Sequence, residues 1–435
     1  MSLFNSVIQK LKNKITNHPH YGKAKHWTKL VTITGSAQIL VQAVGFISGI
    51  LVIRLLPVDE YALYTLANTM LGTMTILSDG GISTGVMAQG GKVWQDKPKL
   101  GAVLVTGLDL RRKFAGFSLI VSLPILAYLL LHHGATWITT ILITVSLIPA
   151  FYAALSDNLL QIPVKLHQAI APLQRNQVEV GVGRLLLTGI TLFAFPWAFV
   201  AIVASGIPRI WGNVRLRRIA SGFVDKKTEV DVEEKKEILK VVKKILPGSI
   251  YYAISGQITV WLISIFGQTT SVAQLGALGR LSAILSLFSA IFSILVIPRF
   301  ARLEKNKIKL LKTYLWMFFA WLLVILFVFS IVYLFPNQIL WILGGNYAKL
   351  NLELLLCIIG SCIMLIAGYA FSTYTSRGWV LNPLISISVS ILSVIIGILL
   401  FDMSSLKGVL IYNIFLAIIQ LIMNNTYLFY KVLKV

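Results

Sequence analysis

Four stretches of this sequence, 30–53, 354–376, 378–401 and 408–430, contain no Asp, Glu, Lys or Arg. Each exceeds the roughly 20 residues that a helix rising 1.5 Å per residue needs to cross the hydrocarbon core of a bilayer. Three longer uncharged runs, 114–156, 245–279 and 313–348, exceed the length one helix can use and must fold back or end in a loop. Turn signals fall inside them at His132-His133-Gly134, Gly267-Gln268-Thr269-Thr270 and Pro336-Asn337-Gln338. A second span fills 61–90, and an eighth, with Arg280 inside it, runs from 272 to 298. With 57% hydrophobic and 13% charged residues and a mean hydropathy of +0.80, the solvent for most of the chain is lipid.

Residues 185–208 read either as one span or as parts of two helices meeting at Phe195-Pro196-Trp197. Parity decides between these readings. A single span would place 209–244 outside the cell, yet that segment holds eleven Lys and Arg, and short loops this basic stay in the cytoplasm. Two helices, the first starting near 176, bring the expected total to twelve. Inner segments then carry 34 Lys and Arg, whereas outer ones carry Arg54, Lys349 and Lys407; Arg184 and Arg280 fall within spans. The expected product is an all-α integral membrane protein of the bacterial inner membrane with both termini inside. Its parts are a basic amphipathic segment (1–29), a six-helix bundle (30–215), a charged linker (216–243) and a second six-helix bundle (244–435). The net charge of +23 is explained by basic inner loops facing an anionic leaflet, and no nucleic-acid module accompanies it.

The first 29 residues lack the apolar core and cleavage site of a signal peptide. Leu3, Phe4, Val7, Ile8, Leu11 and Ile15 recur at helical spacing beside Lys10, Lys12 and Lys14, as in a helix lying on the inner leaflet. His18, His20 and His26 follow in a polar stretch and read as solvated. Cys357 and Cys362 share one span and read as packing residues. Short outer connections leave no room for an extracytoplasmic catalytic loop. No metal-ligand cluster, phosphate-cradling glycine loop or Ser, His and Asp set stands at usable spacing, so neither an enzyme nor a cofactor is expected. Two halves, each opening on a Gly-Ser pair (Gly35-Ser36 and Gly248-Ser249), match the paired-bundle plan of many transporters.

The run Ile53-Arg54-Leu55-Leu56-Pro57-Val58-Asp59-Glu60-Tyr61-Ala62-Leu63-Tyr64, followed by Leu77-Ser78-Asp79-Gly80-Gly81-Ile82, resembles the opening of the polysaccharide flippases of the multidrug/oligosaccharidyl-lipid/polysaccharide exporter superfamily. Leu278-Gly279-Arg280-Leu281, Ile297-Pro298-Arg299-Phe300-Ala301 and Ile342-Leu343-Gly344-Gly345-Asn346-Tyr347-Ala348 resemble later parts of the same family. The resemblance implies a V-shaped pair of bundles that carries an undecaprenyl-diphosphate-linked oligosaccharide to the outer leaflet by alternating access. It implies as partners that lipid and glycan-assembly proteins, while the basic inner loops add anionic membrane lipids; the sequence leaves the oligomeric state open, with a monomer favoured. The related lipid II flippases carry extra arginines in their first helix, and Gln42 to Ile53 has none. A drug or cation antiporter of the same superfamily would leave a similar signature.

Ionisable groups within spans face partners or water-filled cavities. Arg280, about eight residues and thus roughly 12 Å into its helix, suits a lipid diphosphate or sugar acid, since a guanidinium stays charged and bonds two oxygens at once. A buried ion pair holding the bundle would fit it equally well. Arg184 is a weaker substrate-binding candidate, with Asp157 as its expected structural partner. Asp79, followed by Gly80, Gly81, Gly85, Gly90 and Gly91, suits a bending helix end or, like Asp157, a coupling or gating group. Pro124 and Pro149 interrupt spans. Trp137, Trp197 and Trp341 outside and Trp94, Trp211 and Trp379 inside read as interfacial belts.

Overall fold

The computed structural model describes residues 39–225, 228–285, 288–289, 300, 303, 306–377, 379 and 381–434. The expected interfacial helix of the first 29 residues, with His18, His20 and His26, lies outside them. Among the described residues the secondary structure is helical throughout, with no strand.

The first half comprises α1 (Ile39–Leu55), α2 (Val58–Asp79), α3 (Ile82–Lys92), α4 (Lys97–His132), α5 (Trp137–Leu166), α6 (Ile170–Ala194) and α7 (Ala198–Ala220). The second comprises α8 (Val232–Ser255), α9 (Ile258–Phe266), α10 (Thr269–Ser282), α11 (Lys307–Leu334), the short α12 (Pro336–Leu343), α13 (Asn351–Thr375), α14 (Pro383–Leu400) and α15 (Leu406–Leu433). Helices α8 and α9 form a bent pair, α2 and α3 are separated by Gly80 and Gly81, and the short α12 lies between α11 and α13. The remaining helices follow the expected order of spans. Seven helices are individually long and apolar enough to cross a membrane, and the bent pair α8 and α9 makes an eighth. Helix α2 carries Asp59, Glu60 and Asp79, and α7 carries Arg209, Arg215, Arg217 and Arg218, mostly near their ends.

Local sequence sets the helix ends. Asp96 accepts the Lys99 amide at 3.1 Å and opens α4, while Thr136 does the same for Thr139 at the start of α5. Between these helices the chain reverses through Gly134, at φ +82°, in the His-His-Gly turn foreseen from sequence. The junction at Phe195-Pro196-Trp197 separates α6 from α7, as parity required, although α6 begins at Ile170 and is longer than expected. Pro336 opens α12 and does not sit in a simple turn. Pro124 and Pro149 lie inside unbroken α4 and α5. The glycines after Asp79 do break a span: Gly80 and Gly81 take φ +49° and +98° between α2 and α3.

With outer and inner naming the sides expected from loop charge, the buried core has three parts, and their distribution gives the molecule its V shape. One apolar cluster joins the outer portions of both halves, from Leu56, Met70, Leu126 and Leu147 to Leu278, Leu354 and Tyr412. Toward the inner ends it divides. Ile82, Val103, Leu159 and Leu216 form one cluster in the first half, and Phe300, Tyr314, Trp321 and Leu428 form another in the second. The two bundles thus share one buried apolar cluster outside, whereas inside, among the described residues and apart from the opening turns of α8, each keeps its own.

Two expectations need correction. Ile238 and Val242, assigned to the linker 216–243, belong to the first half's inner core, so the opening turns of α8 pack on α3 and α4. The linker is itself tied down: Asp225 N donates to Lys97 O at 3.2 Å and Asp231 N to Thr106 Oγ1 at 2.9 Å. Arg111, counted among inner-loop charges, is instead fully buried within α4.

Candidate functional site: a basic cavity

A cavity of about 460 Å³ lies among α1, α2, α5, α6, α7 and α10. Arg184 and Arg280, singled out separately from sequence, both line it, joined by Arg209 and Asp157. Three guanidinium groups therefore face one carboxylate, and Arg184 feels the like charges of Arg280 and Arg209.

Each arginine owes its place to small neighbours. Gly45 and Gly49 stand one turn apart on α1. A side chain at Gly49 would come within 3.3 Å of Arg280 Cδ, and one at Gly45 within 3.5 Å of an Arg184 Nη. The stripe without side chains lets both long cations lie along α1 from opposite neighbours. Arg280 lies eleven residues into α10, which places it about 17 Å from that helix's outer end. That is deeper than its sequence position suggested, because α10 begins at Thr269. Beside it is the hydroxyl of Tyr61, and Tyr64 lines the cavity one turn away.

Asp157 does not pair with Arg184. Its Oδ2 accepts from Arg209 Nε at 3.2 Å and its Oδ1 from Asn213 Nδ2 at 2.6 Å, both on α7. The reason is packing: α5 and α7 lie against each other, whereas Arg184 projects from α6 toward α1. Among the described residues no carboxylate reaches ion-pair distance of Arg184 or Arg280, and Arg184 Nε is buried without a partner. The buried ion pair that was the other reading of Arg280 does not form with any described carboxylate.

Asp79 stands elsewhere, at the break between α2 and α3. Its Oδ1 accepts from Ser83 N at 3.2 Å and Ser83 Oγ at 2.6 Å, and lies 3.3 Å from Arg111 Nη2. A carboxylate at the positive end of α3, paired with a buried guanidinium, accounts for it as a helix-end group.

Sequence reading missed Arg209, Gln161, Asn176 and Gln177. Arg209 had been grouped with the inner loop that begins there, but α7 continues through it to Ala220. The available signal was the recurrence of Asp157 with Gln161, and of Asn176 and Gln177 with Arg184, at helical spacing. Cys357 is held 3.3 Å from Ser282 Oγ, Cys362 is buried, and neither is in a disulfide. Among the described residues no group of three His, Cys, Asp or Glu could hold a metal.

In sequence the chain matches no protein-family model and no curated relative. In structure it is similar to the inward-facing conformation of a multidrug resistance MATE family transporter of the MOP superfamily. The TM-score is 0.70 at 16% identity, over 91% of this chain and 96% of that one. Against an outward-facing conformation of such a transporter the score is 0.57, also at 16% identity, over 93% and 96%. A MOP superfamily transporter from Pyrococcus furiosus Vc1, described as having a binding pocket of reverse polarity that suggests a different function, gives 0.56 at 14% identity over 92% and 95%. The chain thus has, over nearly its whole length, the two-lobed helical fold of the MATE transporters.

Proposed function

We propose that this protein is a membrane transporter that moves a polyprenyl-diphosphate-linked oligosaccharide from the inner to the outer leaflet of the bacterial cytoplasmic membrane, for surface polysaccharide assembly. The observation that carries the reading is the pair Arg184 and Arg280, facing one cavity with no described carboxylate to neutralise them. Buried unpaired cations are costly. A diphosphate entering the cavity would supply the missing counter-charge through charge-assisted, two-pronged hydrogen bonds. Arg209, already engaged by Asp157, contributes field more than a free hand.

The division of the core into one outer and two inner clusters, and the higher similarity to an inward-facing relative, support an inward-open resting state. Loading from the inner leaflet would satisfy the cations and so alter the balance between inward-open and outward-open states, as a ligand-driven switch requires. The polyprenyl tail stays in lipid, and no covalent step is needed. An excess of positive charge disfavours the alternative substrate, a cationic drug.

The test uses purified protein in nanodiscs. Arg184→Ala and Arg280→Ala should each weaken binding of a polyprenyl-diphosphate-linked oligosaccharide about 10- to 100-fold, the loss of one charged hydrogen-bonding partner. Arg280→Lys should restore part of it. Wild-type protein that binds cationic drugs and ignores the lipid would instead establish the antiporter.

A further inference from the structure

Below Arg184 the cavity carries a second polar level, in which neutral amides stand beside the committed pair Asp157 and Arg209. Gln177 precedes Arg184 by seven residues on α6, and so sits about 10 Å nearer the inner end. It lines the cavity with Asn176 beside it and Gln161 across from it on α5. Asn176 is only 6% exposed. Its Nδ2 donates to the Gly212 carbonyl at 3.1 Å, which fixes the direction of the amide, while its Oδ1 is buried with no donor. Asn68 Nδ2, on the cavity wall formed by α2, is likewise buried without an acceptor. Buried amide atoms are rarely left unpaired without a reason.

The other polar groups at this depth are committed. Asn213 donates to Asp157 and Ser156 and accepts from Arg217, and Asp157 is held by Arg209. What remains uncommitted among the described residues is the amides of Gln161 and Gln177 and the Asn176 Oδ1, donors and acceptors that complement a hydroxyl group, which both donates and accepts. An anionic group seated between Arg184 and Arg280 leaves this level unfilled.

We infer that Gln161, Asn176 and Gln177 form a neutral subsite for the hydroxyl-bearing glycosyl unit attached to the anionic group. The inference rests on the flippase reading above and deepens it: the arginines hold the charge, and the amides distinguish a sugar-bearing lipid from a bare one. A site built to hydrogen-bond hydroxyls penalises a ligand that lacks them, since its own polar groups then stay unpaired.

Binding is measured on the full chain in nanodiscs with two probes, undecaprenyl diphosphate and an undecaprenyl-diphosphate-linked disaccharide. Wild-type protein should prefer the disaccharide lipid by about tenfold or more. Gln177→Leu and Gln161→Leu, which remove no hydrogen bond between helices, should reduce that preference to less than about threefold by weakening only the glycosylated probe. Asn176→Leu should act in the same direction. Wild-type binding of both probes with equal affinity overturns the inference and leaves the flippase reading intact. So does an equal loss of both probes in the Gln variants, which would mean that the amides only hold the helices together. Wild-type protein that binds neither probe overturns the flippase reading and this subsite with it.

Discussion

Arg54, near the outer end of α1, clasps Trp341 in α12: its guanidinium lies 4.8 Å from the indole centroid, and its Nη2 donates to the Trp341 carbonyl at 2.5 Å. Its Nε also donates to the Ile342 carbonyl at 2.8 Å, so one side chain caps the end of α12 and ties the first half to the second. Sequence alone placed Arg54 only among the outer charges. Arg54→Ala should loosen the outer closure by roughly 1–2 kcal/mol, enough to raise the outward-open population about tenfold. Electron-electron spin distances between labels at His132 and Gln338 check this. They should lengthen or broaden in the variant, and an unchanged distribution would exclude Arg54 as a clasp.

A second outer tie gives the closure a pH dependence. His133, buried in the turn after α4, has Nε2 at 2.9 Å from the Ser264 carbonyl and Nδ1 at 3.0 Å from Thr269 Oγ1. A carbonyl only accepts, so Nε2 carries the proton and neutral Nδ1 accepts from the threonine hydroxyl. Burial pushes the imidazole below its ordinary value of 6.5. The neutral ring is therefore the form this conformation favours. Its contribution is complete above the unfolded value of about 6.5 and is lost as pH falls through that value toward the depressed one. The same spin labels should report a widening outer side between about pH 7 and 5, and His133→Gln should abolish the pH response.

The Asp79–Arg111 pair should behave as a structural unit. Arg111→Leu leaves the carboxylate beside an apolar wall and should cost about 3 kcal/mol, whereas the double change Asp79→Leu with Arg111→Leu should cost less than the single one. Denaturation midpoints of the detergent-solubilised protein measure both. Additive losses would show that the two residues act independently.

Gly81 joins the break between α2 and α3 to α8. Its φ of +98° is strained for any L side chain, and a Cβ there would lie 2.8 Å from Ile245 Cβ. Gly81→Ala should destabilise by about 2–4 kcal/mol, combining left-handed strain with overpacking. Gly91→Ala, with nothing within 4 Å of its Cβ, should be neutral or mildly stabilising, both variants being read from the denaturation midpoint of the detergent-solubilised protein. Equal effects at the two positions would remove the packing argument.

The sequence by itself determined the rods, their order and their expected orientation. Span length answers to bilayer thickness, and the side on which a loop stays answers to its own Lys and Arg content. Both are properties of contiguous residues, and so the helix break at Phe195-Pro196-Trp197 and the turn at His133-Gly134 were legible in advance. Arg184 and Arg280 were legible as well, since a charge inside an apolar run stands out wherever it packs. Which group each charge meets was decided only by tertiary structure. Asp157 meets Arg209 because α5 packs on α7, Arg111 is enclosed because α4 extends inward past it, and the amides of Gln161, Asn176 and Gln177 line one cavity from two helices. Partnerships of this kind depend on distances of a few ångströms between helices far apart in the chain, and no spacing along a single helix encodes them.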